Sequence, residues 1–167
     1  MSQKTKMLNR IIHYLILNAS FIRDLGLLDG KMGICIFFYL YARQTGSKLY
    51  EELGGYLLDE IYKEITQSAS IGFAKGLCGI AWGIEYLIQN DFVKADRDEV
   101  LEELDLKILE KDVTRFRDFS LEDGLKGIAY YEELFAETNY FKPKLDSIFS
   151  DLKSFKLKLN QIKIPQL

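Results

Sequence analysis

The sequence predicts an all-α protein, built as an arc of helical hairpins in two layers. Three observations carry that expectation. A glycine kernel recurs three times, as Asp29-Gly30-Lys-Met-Gly33-Ile34, Lys75-Gly76-Leu-Cys-Gly79-Ile80 and Asp123-Gly124-Leu-Lys-Gly127-Ile128, with first glycines 46 and 48 residues apart. Such a period marks a repeat of paired helices. Helical stretches that are apolar all round alternate with stretches apolar on one side only, as buried and half-wet helices do. Only two prolines interrupt 167 residues, and no strand-like alternation of useful length occurs.

The elements follow in order. Residues 5 to 23 form a first helix, in which Met7, Ile11, Tyr14, Leu15, Asn18 and Ile22 keep the i, i+3, i+4 spacing of one face. Asp29 then stands as an N-cap for a helix over 31 to 44, whose run Ile34-Cys-Ile-Phe-Phe-Tyr-Leu-Tyr-Ala42 assigns it to the inner layer. Gly46 is placed for a left-handed C-cap. The helix over 48 to 66 is an outer one: Leu49, Leu53, Leu57, Ile61 and Ile65 form a stripe opposite Glu51, Glu52, Asp59 and Lys63. The cycle repeats with an inner helix over 76 to 89, a break at Asn90-Asp91 and an outer helix over 96 to 112 facing inward with Val100, Leu101, Leu104, Ile108 and Leu109. Ser120 to Asp123 leads into a third inner helix over 124 to 137, and a last helix spans 143 to 160. The expected architecture is therefore a single helical-repeat domain over residues 1–167, with about seven helices, three of them inner.

Composition bounds the function classes. With 48% hydrophobic and 13% aromatic residues the chain can bury a sizeable core, and a net charge of −3 gives no general pull toward nucleic acid or anionic membrane. The ten-residue apolar run from Gly33 to Ala42 is too short to span a bilayer. His13 and the poor cleavage site Asn18-Ala-Ser20 argue against a signal peptide. Cys35 and Cys78 lie in apolar runs and form no C-x-x-C pair, which reads as reduced, buried thiols in a cytoplasmic protein. Two charge runs, −5 over residues 96 to 112 and +4 over 142 to 163, read as solvated outer faces.

Glycine inside a helix costs about 1 kcal/mol relative to alanine. Six kernel glycines, Gly30, Gly33, Gly76, Gly79, Gly124 and Gly127, therefore imply close packing at the helix starts. The kernel, with Gly26-Leu-Leu-Asp-Gly-Lys-Met-Gly-Ile34 and Lys75-Gly-Leu-Cys-Gly-Ile-Ala-Trp-Gly83 as its fullest statements, resembles the lanthionine synthetase C-like family over roughly residues 7 to 137. The resemblance implies an α/α toroid whose inner helices open with Gly-x-x-Gly-Ile motifs. Three inner helices would make an incomplete ring of that type. It also implies, for the family's enzymes, a zinc ion held by a cysteine and a later Cys-His pair, which activates a peptide thiol for addition to a dehydrated residue. No Cys-His pair occurs here, and the single histidine, His13, lies in the first helix. No metal, no cofactor and no catalytic residue is therefore assigned.

The remaining candidate site is the rim at which the inner helices begin. Parallel helices aim their partial positive charges at it. Asp29, Lys31, Lys75, Glu122, Asp123 and Lys126 all fall near those ends, so an anionic group or a peptide carboxylate could bind there. The plainer reading gives Asp29 and Asp123 to helix capping, each worth about 1 kcal/mol. A carbohydrate-active toroid would instead need two carboxylates about 5 to 10 Å apart. The expected function is a non-catalytic module that binds a peptide or partner protein in modified-peptide (RiPP) biosynthesis. Alternatives are a piece of a zinc-dependent peptide cyclase completed by another chain, and a carbohydrate-active toroid fragment. Association as a homodimer or hetero-complex is expected, because an open arc exposes apolar flanks.

Overall fold

The computed structural model describes residues 3–65, 70–111 and 116–135. Six α-helices lie among them, with no strand: α1 (Gln3–Asn18), α2 (Lys31–Thr45), α3 (Lys48–Glu64), α4 (Leu77–Gln89), α5 (Arg97–Leu109) and α6 (Leu125–Phe135). A 3-10 turn, Ala19–Phe21, follows α1. The chain divides into two compact units, residues 1–128 and 129–167, and all three glycine kernels belong to the first. The expected helix over 143 to 160 lies outside the described residues.

In the first unit α2 packs along α3, α4 along α5, and α2 against α4. These are two hairpins side by side, each with one inner and one outer helix. The assignment of layers follows burial. Leu77, Cys78, Ile80, Ala81, Ile84 and Leu87 of α4 are almost fully buried, while Trp82 and Tyr86 on one stripe are half-buried, so this helix is enclosed on most of its circumference. On α3 the buried residues are Leu57, Leu58 and Ile61, continued by Ile65, while Leu49, at the start of the expected stripe, is exposed. On α5 they are Leu101, Leu104 and Ile108. Helix α2 is less enclosed: Met32, Cys35, Phe38, Tyr39 and Ala42 are buried, Leu40 is exposed. Its aromatic residues mostly turn inward, with Phe38 stacked on Tyr50 of α3 at 6.3 Å and Tyr39 tilted against Phe92 at 5.8 Å.

The expected face of α1 is a correction. Ile12 is its buried residue, followed by Ala19, whereas Met7, Ile11, Tyr14, Leu17 and Phe21 are exposed. The side that the rest of the unit covers is offset from the side richest in large apolar residues. No helix among the described residues is long and apolar enough to cross a membrane.

Candidate functional site

The rim is built from three loops of one design. In each, a residue seven before the inner helix turns its side chain onto the N–H two residues ahead: Asp24 Oδ1 accepts from Gly26 at 2.8 Å, Ser70 Oγ from Gly72 at 3.3 Å, Asp118 Oδ1 from Ser120 at 2.8 Å. The carbonyl of that same residue accepts from the first N–H of the helix, Lys31 at 2.8 Å, Leu77 at 3.0 Å and Leu125 at 3.0 Å. An Asx or Ser turn thus folds each loop back over its own helix start. An orphan helix N–H is satisfied without a side-chain cap.

This corrects two expectations. Asp29 does not cap α2. It is exposed at φ 62°, the N-cap residue is Gly30, and no side-chain cap bond is made there. A side-chain cap does hold α5, where Asp96 accepts from Asp98 and Glu99 at 2.9 and 3.4 Å. The kernel glycines, moreover, answer chiefly to their own loops rather than to neighbouring helices. A Cβ at Gly76 would lie 2.6 Å from the Gly72 carbonyl oxygen, and one at Gly124 would lie 2.6 Å from that of Asp118. At Gly33, Gly79 and Gly127 it would overlap the carbonyl oxygens of Leu27, Phe73 and Leu121. Close helix approach falls instead at Gly83, where a Cβ would come within 2.5 Å of Met32 Cγ.

Neighbouring loops are joined by backbone. Leu28 N–H donates to the Ala74 carbonyl at 2.9 Å, and Ala74 N–H donates to the Glu122 carbonyl at 2.6 Å. Positions 28, 74 and 122 are equivalent in the repeat, so one hydrogen bond per repeat ties the rim into a row. The next position reads Asp29, Lys75, Asp123, which alternates in charge along that row, and all three are exposed. Lys75 pairs loosely with Asp24 at 3.9 Å, mostly in solvent. Lys126 and Glu122 are also exposed.

Lys31 departs from the rest. It occupies the place held by Leu77 and Leu125 in the other repeats, and its side chain is 3% exposed, with Nζ 3.1 Å from Glu60 and 3.3 Å from Glu64. A lysine stem can fill an apolar site while its head reaches a partner. Here the head is held between two carboxylates of α3, away from the open row. In the second hairpin Arg97 does similar work, with Glu85 at 3.2 Å and Asp105 at 3.3 Å. Both clusters tie an inner helix to its outer partner.

The zinc site that the resemblance implies does not fit the residues present. Cys35 Sγ donates to the Gly54 carbonyl at 3.2 Å, and burial pushes its thiol up to about 12, so it is held protonated. Cys78 is fully buried in α4, and His13 is exposed on α1. No three His, Cys, Asp or Glu side chains group to hold a metal among the described residues.

At the opposite end of the inner helices lies an open cleft of about 450 Å³, lined by Tyr39, Arg43, Lys48, Glu51, Asp91 and Phe92 among others. Sequence reading missed it, because its residues come from three separated segments. Arg43 is fixed there twice over: its guanidinium lies 3.4 Å above the Phe92 ring and donates to the Asn90 carbonyl. Burial pushes the Tyr39 hydroxyl up to about 12, helped by the negative charges of Glu51 and Asp59, so it stays a donor. One line of rings connects the cleft to the rim: Tyr39, Phe92, Tyr86, Trp82 and Phe73, with successive centroids 5.8, 6.4, 5.4 and 6.1 Å apart. The cleft offers two cations, two carboxylates, a phenol and an aromatic wall, and no nucleophile or general base with a matched partner.

The family model described as lanthionine synthetase C-like protein matches residues 22–163. No curated protein matches the chain.

Proposed function

The chain belongs to the lanthionine synthetase C-like family, and from that premise we propose that it is a non-catalytic module that binds a peptide during lanthionine-type peptide modification. The observation that carries this reading is the cleft at Arg43. Its volume lies within the range of small-ligand and short-peptide sites. Its fixed guanidinium suits a carboxylate, its carboxylates suit a lysine or an amine, and Tyr39 suits a peptide carbonyl. Charges of both signs within one cleft match a mixed-charge peptide better than a uniformly anionic ligand.

Non-catalytic action rests on the thiols. The family's reaction needs a metal-bound thiolate, and here one cysteine is spent on the Gly54 carbonyl and the other is sealed inside α4. The test is direct. Fluorescein-labelled twelve-residue peptides of mixed charge are titrated by anisotropy, with the single tryptophan, Trp82, as an internal reporter through its stack on Tyr86. Arg43→Ala is expected to weaken binding about tenfold, since a hydrogen bond to a charged group contributes about 1.5–3 kcal/mol. In parallel, a peptide carrying one cysteine and one dehydroalanine is incubated with protein and zinc. Zinc-dependent thioether formation lost on replacing Cys35 or Cys78 would overturn the reading, and so would binding indifferent to Arg43→Ala and Glu51→Ala.

A further inference from the structure

Among the described residues, the repeat that joins loop one to loop two, and loop two to loop three, is left open at both ends, and the two ends match each other. Each internal junction has two parts. A backbone N–H of the earlier loop donates to the later loop, Leu28 to Ala74 and Ala74 to Glu122. A side chain of the earlier loop seats on the second kernel glycine of the later helix. A Cβ at Gly79 would lie 3.1 Å from Leu27 Cβ, and one at Gly127 would lie 2.6 Å from Phe73 Cβ. The glycine is the hole and the loop residue the knob.

At the far edge the equivalent knob is Leu121 and the equivalent donor is Glu122 N–H. Leu121 is 49% exposed, whereas Phe73 at the internal position is 9% exposed. Glu122 N–H has no acceptor among the described residues. At the near edge the equivalent hole is Gly33 and the equivalent acceptor is the Leu28 carbonyl, which takes no donor among the described residues. A Cβ at Gly33 would meet only its own loop, so no knob fills that hole. Two turns along the same face of α2, Leu40 is 44% exposed.

We propose that a second copy of this chain docks head to tail across these edges, Leu121 of one copy seated over Gly33 of the other and Glu122 N–H donating to the Leu28 carbonyl. The contact continues a junction already made twice within the chain, which is why a second copy is its occupant rather than an unrelated protein. One residue adjusts the fit. Ser120 stands where Gly26 and Gly72 admit the neighbouring loop, and its Cβ sets the spacing there. The junction of loops two and three is the template that admits it. At Gly72 an added Cβ would lie 2.7 Å from Asp123 Oδ1, a side-chain end that can swing aside, and 3.0 Å from Asp123 Cα. At Gly26 it would lie 2.3 Å from Lys75 Cα, so the docked loops follow the second junction with a further shift of a few tenths of an ångström. A head-to-tail contact either closes or grows.

Oligomeric state is measured on the full chain by light scattering and sedimentation at micromolar concentration. Wild type is expected to associate into dimers or larger closed species. Leu121→Asp and Leu40→Glu change exposed residues at opposite edges, so neither should unfold the chain. Each is expected to weaken association about tenfold or more, the loss of one buried leucine contact. Mixing the two variants leaves one intact knob facing one intact hole, and the mixture is expected to recover association that neither variant shows alone. A wild type that stays monomeric overturns the proposal. So does association unaffected by both variants, or a mixture no more associated than its components.

Discussion

Replacing Gly79 and Gly55 by alanine separates the two kinds of glycine in this protein, because the same chemical change should act with opposite sign. At Gly55, inside α3, a Cβ would meet only the Tyr39 hydroxyl oxygen, at 3.5 Å, an ordinary contact. Alanine there should stabilise by about 0.5–1 kcal/mol, the helix preference of alanine over glycine. At Gly79 the Cβ would overlap the Phe73 carbonyl oxygen and lie 2.9 Å from its carbon. That carbonyl cannot retreat cheaply. Its loop is pinned by Gly72 to Ser70 Oγ at 3.3 Å, by Leu77 to the Ser70 carbonyl at 3.0 Å and by Ala74 to Glu122 at 2.6 Å. Overpacking against such a loop costs toward the upper end of about 1–3 kcal/mol, so after the helix gain Gly79→Ala should lose about 2 kcal/mol. The two variants then differ by about 3 kcal/mol, which for a chain of this size separates their melting temperatures by roughly 6–12 °C. Thermal unfolding followed by circular dichroism reads this directly. If Gly79→Ala melts at or above wild type, the loop does not sit on the helix start as described.

Further expectations concern the buried groups. Cys35 should react with a thiol reagent at pH 8 only as fast as the protein unfolds, because its thiol is buried and held protonated up to about 12. The same shift makes stability fall as pH rises. The unfolded thiol releases its proton near its ordinary value of 9.0, the folded one near 12, so the stabilisation is complete below pH 9 and is lost between 9 and 12. Urea unfolding at pH 8 and pH 10, with Cys35→Ala as control, measures it: the variant should lose less stability over that interval. Lys31→Ala should destabilise by about 1–3 kcal/mol, since it leaves Glu60 half-buried against a hole, while Lys31→Leu together with Glu60→Gln should restore most of the loss by filling the place that Leu77 and Leu125 fill elsewhere. Elemental analysis after dialysis without chelator should find well under one zinc per chain; one full equivalent that disappears when both cysteines are replaced would refute the assignment of Cys35 and Cys78 as structural thiols.

The helices were legible because hydrophobic period and glycine spacing are local properties. Leu57, Ile61, Leu101, Leu104 and Ile108 are buried where their i, i+3, i+4 pattern places them, and α4, the most apolar helix, is buried on most of its circumference, the stripe of Trp82, Tyr86 and Gln89 being more open. Helix α1 was not legible in the same way. Its period indicates a helix, but the choice of buried face depends on what the first unit offers to cover it, and that choice fell on Ile12 rather than on Met7 and Tyr14. The second kernel lysine position shows the same limit: Lys31, Lys75 and Lys126 look alike as charges near helix starts, yet they stand at three different places in the repeat. Aligning the kernels at Gly30, Gly76 and Gly124 puts Lys31 in a leucine's place; the kernels alone do not show the turns at Asp24, Ser70 and Asp118, which lie 46 and 48 residues apart as the kernels do. That signal was present in the sequence, in the pattern Asp/Ser-x-Gly/Ser five to seven residues before each inner helix, and its mechanism explains why the kernel needs glycine at all.

The cleft marks where sequence reading ends for a physical reason. Tyr39 and Arg43 come from the last turns of α2, Lys48 and Glu51 from the first turn of α3, and Asp91 and Phe92 from the turn after α4. No spacing rule links these segments, since they meet only because α4 packs on α2 and carries its C-terminal turn over α2's end. The rim, by contrast, repeats the same turn three times and so announces itself. A repeat protein therefore advertises the parts that every repeat shares, and these are the parts that hold it together. The residues that differ between equivalent positions carry what is particular to this chain: Lys31 among leucines, Ser120 among glycines, and Arg43 stacked on Phe92. On the proposed function, selection of a peptide would fall to those differences, because a bond or turn made identically in each repeat cannot distinguish one end of the row from the other.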